Sequence, residues 1–210
     1  FLTKMKKIKL NTAIVLITAS LALSRCGNSN SKSNSEHQNT DETAHNHGDH
    51  GHGSENRKVS ENKGNIKGDL SQILENYFSL SSALAEDNAS KAADSADKLT
   101  GSLKGFDKSK LEESDNKEFT EITESATENA EHIGQNKGNI HHQREHMVSL
   151  SEDIKDLIAL VGTNQKLYED FCPMADNEKG AIWISKQVQI SNPYMGSSMP
   201  TCGKINREIN

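Results

Sequence analysis

The stretch from Cys172 to Gly203 holds two thiols, Cys172 and Cys202, and three thioethers, Met174, Met195 and Met199. It also holds the chain's single Trp and all three Pro. Soft sulfur donors suit Cu(I) first, with zinc or silver as alternatives. Cys172 and Met174 flank Pro173, a spacing that can present both sulfurs to one side. Met199 and Cys202 stand three apart, as two ligands of a tight turn do. Asn192-Pro193-Tyr194 and Gly196 supply bends that can bring this second pair back to the first. Thiolates are the true ligands, so binding releases protons and weakens in acid. The candidate set is Cys172, Met174, Met199 and Cys202. Met195 reads as a gap-filler, the commoner role of methionine. Trp183 reads as core, or as a cover over the ion.

Imidazoles form a second class of donor. His142 and His146 are four apart and share a helix face. His146 is the candidate nitrogen ligand to the tail site, while His132, His141 and His142 read as solvated surface. His45, His47, His50 and His52 lie in a Gly- and Asp-containing run, where imidazoles without fixed geometry collect ions weakly. No His-Glu-x-x-His, no Ser-His-Asp set and no Gly-rich loop after a strand is present. Hydrolysis and nucleotide binding are therefore unsupported, and the chain reads as a non-enzyme.

The elements that position these donors follow from hydrophobic spacing. Ile66, Leu70, Ile73, Leu74, Tyr77, Phe78, Leu80 and Leu84 repeat with helical period. Asp87 reads as an N-cap, and Ala89, Ala92, Ala93, Ala96, Leu99 and Leu103 continue on a second helix. A third runs from about Asp115 to Ile133, with Gly134 and Gly138 closing it. Asn139 reads as the N-cap of a fourth, which carries Ile140, Met147, Leu150, Ile154, Leu157, Ile158 and Val161 until Gly162 stops it. The expected fold is all-α: a small up-and-down bundle of about four helices over residues 65–163. A turn-rich segment, 164–210, packs on it, with short extended runs at Lys166–Phe171 and Gly203–Ile209.

The N-terminus reads as an address. Lys6, Lys7 and Lys9 precede an apolar run from Ala13 to Leu23, too short for a membrane span and typical of a signal peptide. Residues 1–4 read as lying upstream of a start at Met5. Leu23-Ser24-Arg25-Cys26 approximates a bacterial lipobox, although Arg25 stands where a small residue is usual. On this reading residues 1–25 are removed and Cys26 carries a lipid that holds the protein at the periplasmic side of a membrane. Residues 26–64 are polar and His-rich, and read as a disordered tether. Five of the 24 basic residues and none of the 30 acidic ones precede Cys26, so the remainder carries 19 against 30, a formal charge of −11. That balance argues against nucleic acid and tolerates cations. With Cys26 lipidated, Cys172 and Cys202 are an even pair in an exported chain. The competing reading is a disulfide closing a loop of about 31 residues, worth about 3 kcal/mol by chain entropy.

Cys172-Pro173-Met174-Ala175, Gly180-Ala181-x-Trp183, Ile190-x-Asn192-Pro193-Tyr194 and Met199-x-x-Cys202-Gly203 recur as a set with Gln143-Arg144-Glu145-His146 and Leu150-Ser151. This set resembles a domain of unknown function in exported lipoproteins of Gram-negative bacteria. The same domain is appended to periplasmic adaptor subunits of copper- and silver-type heavy-metal efflux systems. The resemblance covers roughly residues 66–210 and implies metal handling in the periplasm with an efflux adaptor as partner. Met195 departs from it, standing where an aromatic is common. The expected function is a lipid-anchored, copper-binding protein that sequesters metal or passes it on. The alternative is a disulfide-stapled interaction module without a metal site.

Overall fold

A computed structural model describes residues 66–210, and the run expected to be a signal peptide, Cys26 and the His45–His52 tract lie outside the described residues. The described chain is mostly helical. Helix α1 (Ser71–Ala85) starts where Asp69 Oδ1 accepts the Ser71 N–H at 2.9 Å, and it buries Ile73, Leu74, Tyr77, Leu80 and Leu84. Helix α2 (Ala89–Lys104) buries Ala92, Ala93, Ala96, Leu99 and Leu103. Its small side chains let α3 approach closely. A Cβ on Gly134 would lie 2.4 Å from Asp97 Oδ1 of α2. Helix α3 (Glu113–Gln135) buries Phe119, Thr123, Ala126, Ala130 and Ile133. Helix α4 (Ile140–Val161) buries Met147, Leu150, Ile154, Leu157 and Val161. Asn139 caps it by accepting the His142 N–H at 3.2 Å, and Gly162 ends it with φ 83°. These helices pack in sequence, α1 on α2, α2 on α3 and α3 on α4, so each buries its apolar stripe against its neighbours.

Two boundaries differ from expectation. Ile66 lies before α1 and is 50% exposed, so it is not part of the buried stripe. Asp87 is not the cap of α2. Asn88 is, accepting the Lys91 N–H at 2.9 Å, while Asp87 takes a left-handed φ of 55° at the joint between the helices.

The larger correction concerns the tail, because the fold is not all-α. Strands β1 (Leu167–Cys172), β2 (Ala181–Ser185) and β3 (Lys204–Ile209) form an antiparallel sheet in the order β2-β1-β3. The two extended runs seen in the sequence pair with each other, Leu167 opposite Ile209 and Phe171 opposite Lys204. The segment Ala181–Ser185 supplies the third strand, with Asp170 opposite Trp183. A short helical turn, α5 (Ala175–Glu178), joins β1 to β2. Asp176, Asn177 and Glu178 there take left-handed dihedrals, a conformation Asp and Asn tolerate better than most residues.

Strand β2 lies against α4, and three buried hydroxyls tie the sheet to the bundle. Tyr77 Oη is 2.8 Å from Ser151 Oγ and accepts the Ile184 N–H at 3.1 Å. Tyr194 Oη is 3.1 Å from Ser151 Oγ and donates to the Ile182 carbonyl. Ser151 itself donates to the Met147 carbonyl at 2.8 Å. Burial of such hydroxyls is tolerable because each proton finds an acceptor. Burial also pushes the Tyr77 and Tyr194 phenols well above their ordinary value, so both stay protonated.

Candidate functional site

The sheet brings the two thiols together. Cys172 ends β1, and Cys202 sits two residues before β3, its neighbour in the sheet. Their Sγ atoms are 2.7 Å apart and unbridged. Cys172 is fully buried, and Cys202 is partly open. The Cys202 thiol is pushed above its ordinary value, first by sharing a proton with Cys172 and then by burial, against a weaker opposing pull from the Met174 backbone. Two sulfurs on one tetrahedral ion, each about 2.3 Å from it, stand about 3.7 Å apart. A metal therefore requires the pair to open by about 1 Å.

Asn192, Trp183 and the backbone at Gly203 surround this pair. Asn192 is fully buried and works at every polar atom. Its Nδ2 donates to the Cys202 carbonyl at 2.7 Å, and its Oδ1 accepts the Tyr194 and Met195 N–H groups at 2.8 and 3.0 Å. Its backbone N–H reaches the Pro200 carbonyl at 3.0 Å, and the Cys202 N–H closes a turn on Met199 O at 3.1 Å. The Asn-Pro-Tyr bend and the Met199–Cys202 turn are thus stitched into one piece. Trp183 is core, 1% exposed and edge-on to Tyr194. Its ring nevertheless lies beside the thiols' strand entry: a Cβ on Gly203 would meet Trp183 Cη2 at 2.9 Å and Phe171 O at 2.8 Å, and φ there is 128°. Only glycine fits.

Arg144 clamps the same segment to the bundle. Its Nε donates to the Pro193 carbonyl at 2.8 Å, and one terminal nitrogen donates to Leu84 O at 2.7 Å and Asp87 Oδ1 at 2.6 Å. Asp87 Oδ2 then accepts the Ser197 N–H at 2.9 Å. Hydrogen bonding from Ser197, then from Arg144, holds the Asp87 carboxyl well below the usual carboxylate range. Arg144 and Asp87 thus form an ion pair across the joint. Gly196 passes so close that a Cβ would lie 2.1 Å from Asp87 Oδ1.

The methionines divide by exposure. Met147 is core and Met195 packs against the core from a half-buried position. Met174 and Met199 are 45% and 37% exposed, two of only four large apolar side chains so exposed among the described residues. Both adjoin the thiols in sequence, Met174 at the start of the β1–β2 connection and Met199 in the turn that ends at Cys202.

His146 sits in different company. It stacks on His132 of α3, ring centroids 4.5 Å apart, and meets His142 edge-on at 4.7 Å. One ring nitrogen from each of the three lies within 4.8 Å of the other two. Among the described residues, no His, Asp or Glu completes a set of three donors with the two thiols. Sequence spacing pairs His142 with His146, but the contact with His132 depends on the register across the turn between α3 and α4. Asn192 and Asn129, which hold Cys202 and His146, carry no signal beyond Asn at a turn and on a helix.

The four residues Gln143–His146 each serve different neighbours within one helical turn. Gln143 is fully buried and donates to Ala89 O and Ile133 O at 2.9 and 3.1 Å. Arg144 holds the tail. Glu145 Oε2 meets His142 Nδ1 at 2.8 Å, and His146 Nδ1 meets Asn129 Oδ1 at 3.1 Å. No curated protein and no solved structure matches the chain. Residues 73–166, from the first turn of α1 to the threshold of β1, match the model of a family described as a protein of unknown function, DUF3347.

Proposed function

We propose that this is a soft-metal-binding protein of the bacterial envelope, with copper as its metal. Cys172 and Cys202 supply the ligating thiolates, and Met174 and Met199 supply flanking thioethers. The supporting observation is the coincidence of two adjoining thiols with two methionines held at the surface. Methionine gains most by burial, and Met147 takes that course. Exposed thioethers two and three residues along the chain from the two thiols suit Cu(I), for which sulfur is the preferred donor. The role is sequestration or hand-over to a periplasmic adaptor of a heavy-metal efflux system, without catalysis and without nucleic acid. Lipidation at Cys26 places it at the membrane, and His45, His47, His50 and His52 gather ions weakly. The specific contribution of His146 is not to the thiols but to the imidazole group on α3 and α4.

A second reading is favoured by the 2.7 Å separation of the sulfurs. In that reading Cys172 and Cys202 form a permanent bridge, and the protein is a stapled interaction module. A competition titration separates the two. The full chain, with the five N-terminal His replaced by Ala and fully reduced, is titrated with Cu(I) against a chromophoric chelator. The Cys172→Ser/Cys202→Ser variant is run alongside. Tight uptake of one Cu(I) that the variant loses supports the metal reading. Failure to compete, with mass analysis finding a Cys172–Cys202 bridge in unreduced protein, favours the module.

A further inference from the structure

His132, His142 and His146 come from two helices and are none of them buried. Their mutual approach, one nitrogen each within 4.8 Å, is already close to what a single ion needs. Nitrogens about 2.0–2.1 Å from a tetrahedral ion stand about 3.4 Å apart, a difference that side-chain rotation can close. Proximity of rings alone is ordinary packing. The neighbours of these rings supply the independent observation.

Asn129 Nδ2 donates to Ser125 O at 3.1 Å and to Asp153 Oδ2 at 3.3 Å. Its Oδ1 is therefore the atom turned to His146, and a carbonyl oxygen can only accept. His146 must place its proton on Nδ1 and keep the Nε2 lone pair free. On the other ring, Glu145 Oε2 stands 2.8 Å from His142 Nδ1, and a carboxylate too can only accept. Two of three imidazoles are thus fixed in the same tautomer by an outer partner, one a carboxylate and one an amide. That is the arrangement in which metal-ligating histidines are held.

We propose that His132, His142 and His146 form a second metal site for a borderline divalent cation, Zn(II) or Cu(II), separate from the thiol pair. Imidazole favours such ions over Cu(I), whereas thiolate and thioether favour Cu(I). Three protein ligands leave a coordination position open at the surface. The ion is therefore exchangeable, as suits hand-over rather than permanent structure. Glu128 and Glu145 lie near enough to act on His146 electrostatically and add negative charge that favours a cation. The inference stands on geometry alone and survives if the thiols prove to be a disulfide.

The test uses the full chain with His37, His45, His47, His50 and His52 replaced by Ala and with Cys172→Ser/Cys202→Ser. Only His132, His141, His142 and His146 then remain as imidazoles. Zn(II) is titrated against a chromophoric chelator, with helicity checked in each variant. Outer partners alone govern about 10–100-fold in affinity, so the expected result is one Zn(II) per chain, weakened at least about 100-fold by His132→Ala and by His146→Ala and little by His141→Ala. His132→Ala guards against a folding artefact, because His132 is not buried and anchors no described side-chain hydrogen bond. Cu(II) loaded into the same chain should give a paramagnetic resonance spectrum with imidazole nitrogen couplings from three rings. Equal affinity in His132→Ala, or a copper spectrum without those couplings, overturns the proposal.

Discussion

The thiol pair and the imidazole group are assembled by opposite means. Cys172 and Cys202 are 30 residues apart and meet only because β3 returns beside β1. Their approach depends on a hairpin connection with left-handed residues, a buried Asn and a glycine that no side chain could replace. His142 and His146 meet through helical spacing alone, and His132 joins them across a short turn between adjacent helices. The thiol approach fails with its supports, whereas His142 and His146 share a face as long as α4 holds, and His132 joins them as long as α3 packs on α4. The thiol pair is thus hard to assemble, with one sulfur buried and one partly open, whereas the imidazole group is easy to assemble and unburied.

Changes at the supports test that contrast. The largest effect is expected at Asn192. Asn192→Ala leaves the buried Tyr194 and Met195 N–H groups and the Cys202 carbonyl unpaired, and should destabilise by about 3 to 4 kcal/mol in denaturant unfolding. Cys202 should become faster to alkylate, while the ring resonances of His142 and His146 stay in place. Movement of those resonances would show that the two regions are one cooperative site. Arg144→Ala comes next, at about 2 to 3 kcal/mol, because two carbonyls and a carboxylate lose a charged donor.

The same clamp gives a pH signature. The folded Asp87 carboxyl lies below its unfolded value near 3.8, so it stabilises the protein above that value. This contribution is lost as pH falls from there toward the folded value. Asp87→Asn should therefore destabilise at neutral pH and narrow its deficit relative to the parent in acid. A constant deficit across the acid range would assign the stabilisation to shape rather than charge. Tyr77→Phe, which leaves the Ile184 N–H without its acceptor, should lose about 1 to 2 kcal/mol and loosen the sheet from the bundle. The smallest stability effect is expected at exposed Glu145. Glu145→Gln should stay within about 0.5 kcal/mol, yet weaken Zn(II) about tenfold by removing the carboxylate behind His142.

How much of this was legible in the sequence follows the same divide. The apolar stripe through Leu74, Leu84, Leu99, Phe119, Ile133, Leu150 and Ile154 announces the helices, and Asn139 and Gly162 mark two ends correctly. Asp87 misleads because Asp and Asn stand together at 87 and 88, and only the backbone decides which caps. The sheet is missed because Ala181–Ser185 is five residues long and lacks a clean alternation, with Trp183 and Ile184 both buried. Pairing between strands is non-local and leaves little trace in a window. Cys172 and Cys202 are recognisable as a pair, and the structure joins them. His132 has no sequence signal, since its partners are set by how α3 and α4 come to lie together.

The hydroxyl knot of Tyr77, Ser151 and Tyr194 has a consequence for what counts as the heritable unit. The family match ends at residue 166, but two of the knot's three members lie inside it and the third lies beyond. The Ile184 N–H and the Ile182 carbonyl that satisfy them also come from beyond. A gene fragment cut at that boundary would encode four helices that keep the Tyr77–Ser151 and Ser151–Met147 bonds but lose the Ile184 N–H and the Tyr194 hydroxyl, with an uncovered face where β2 belongs. Separating the helices from the tail should therefore expose apolar surface that β2 otherwise covers, and so favour association of the fragment.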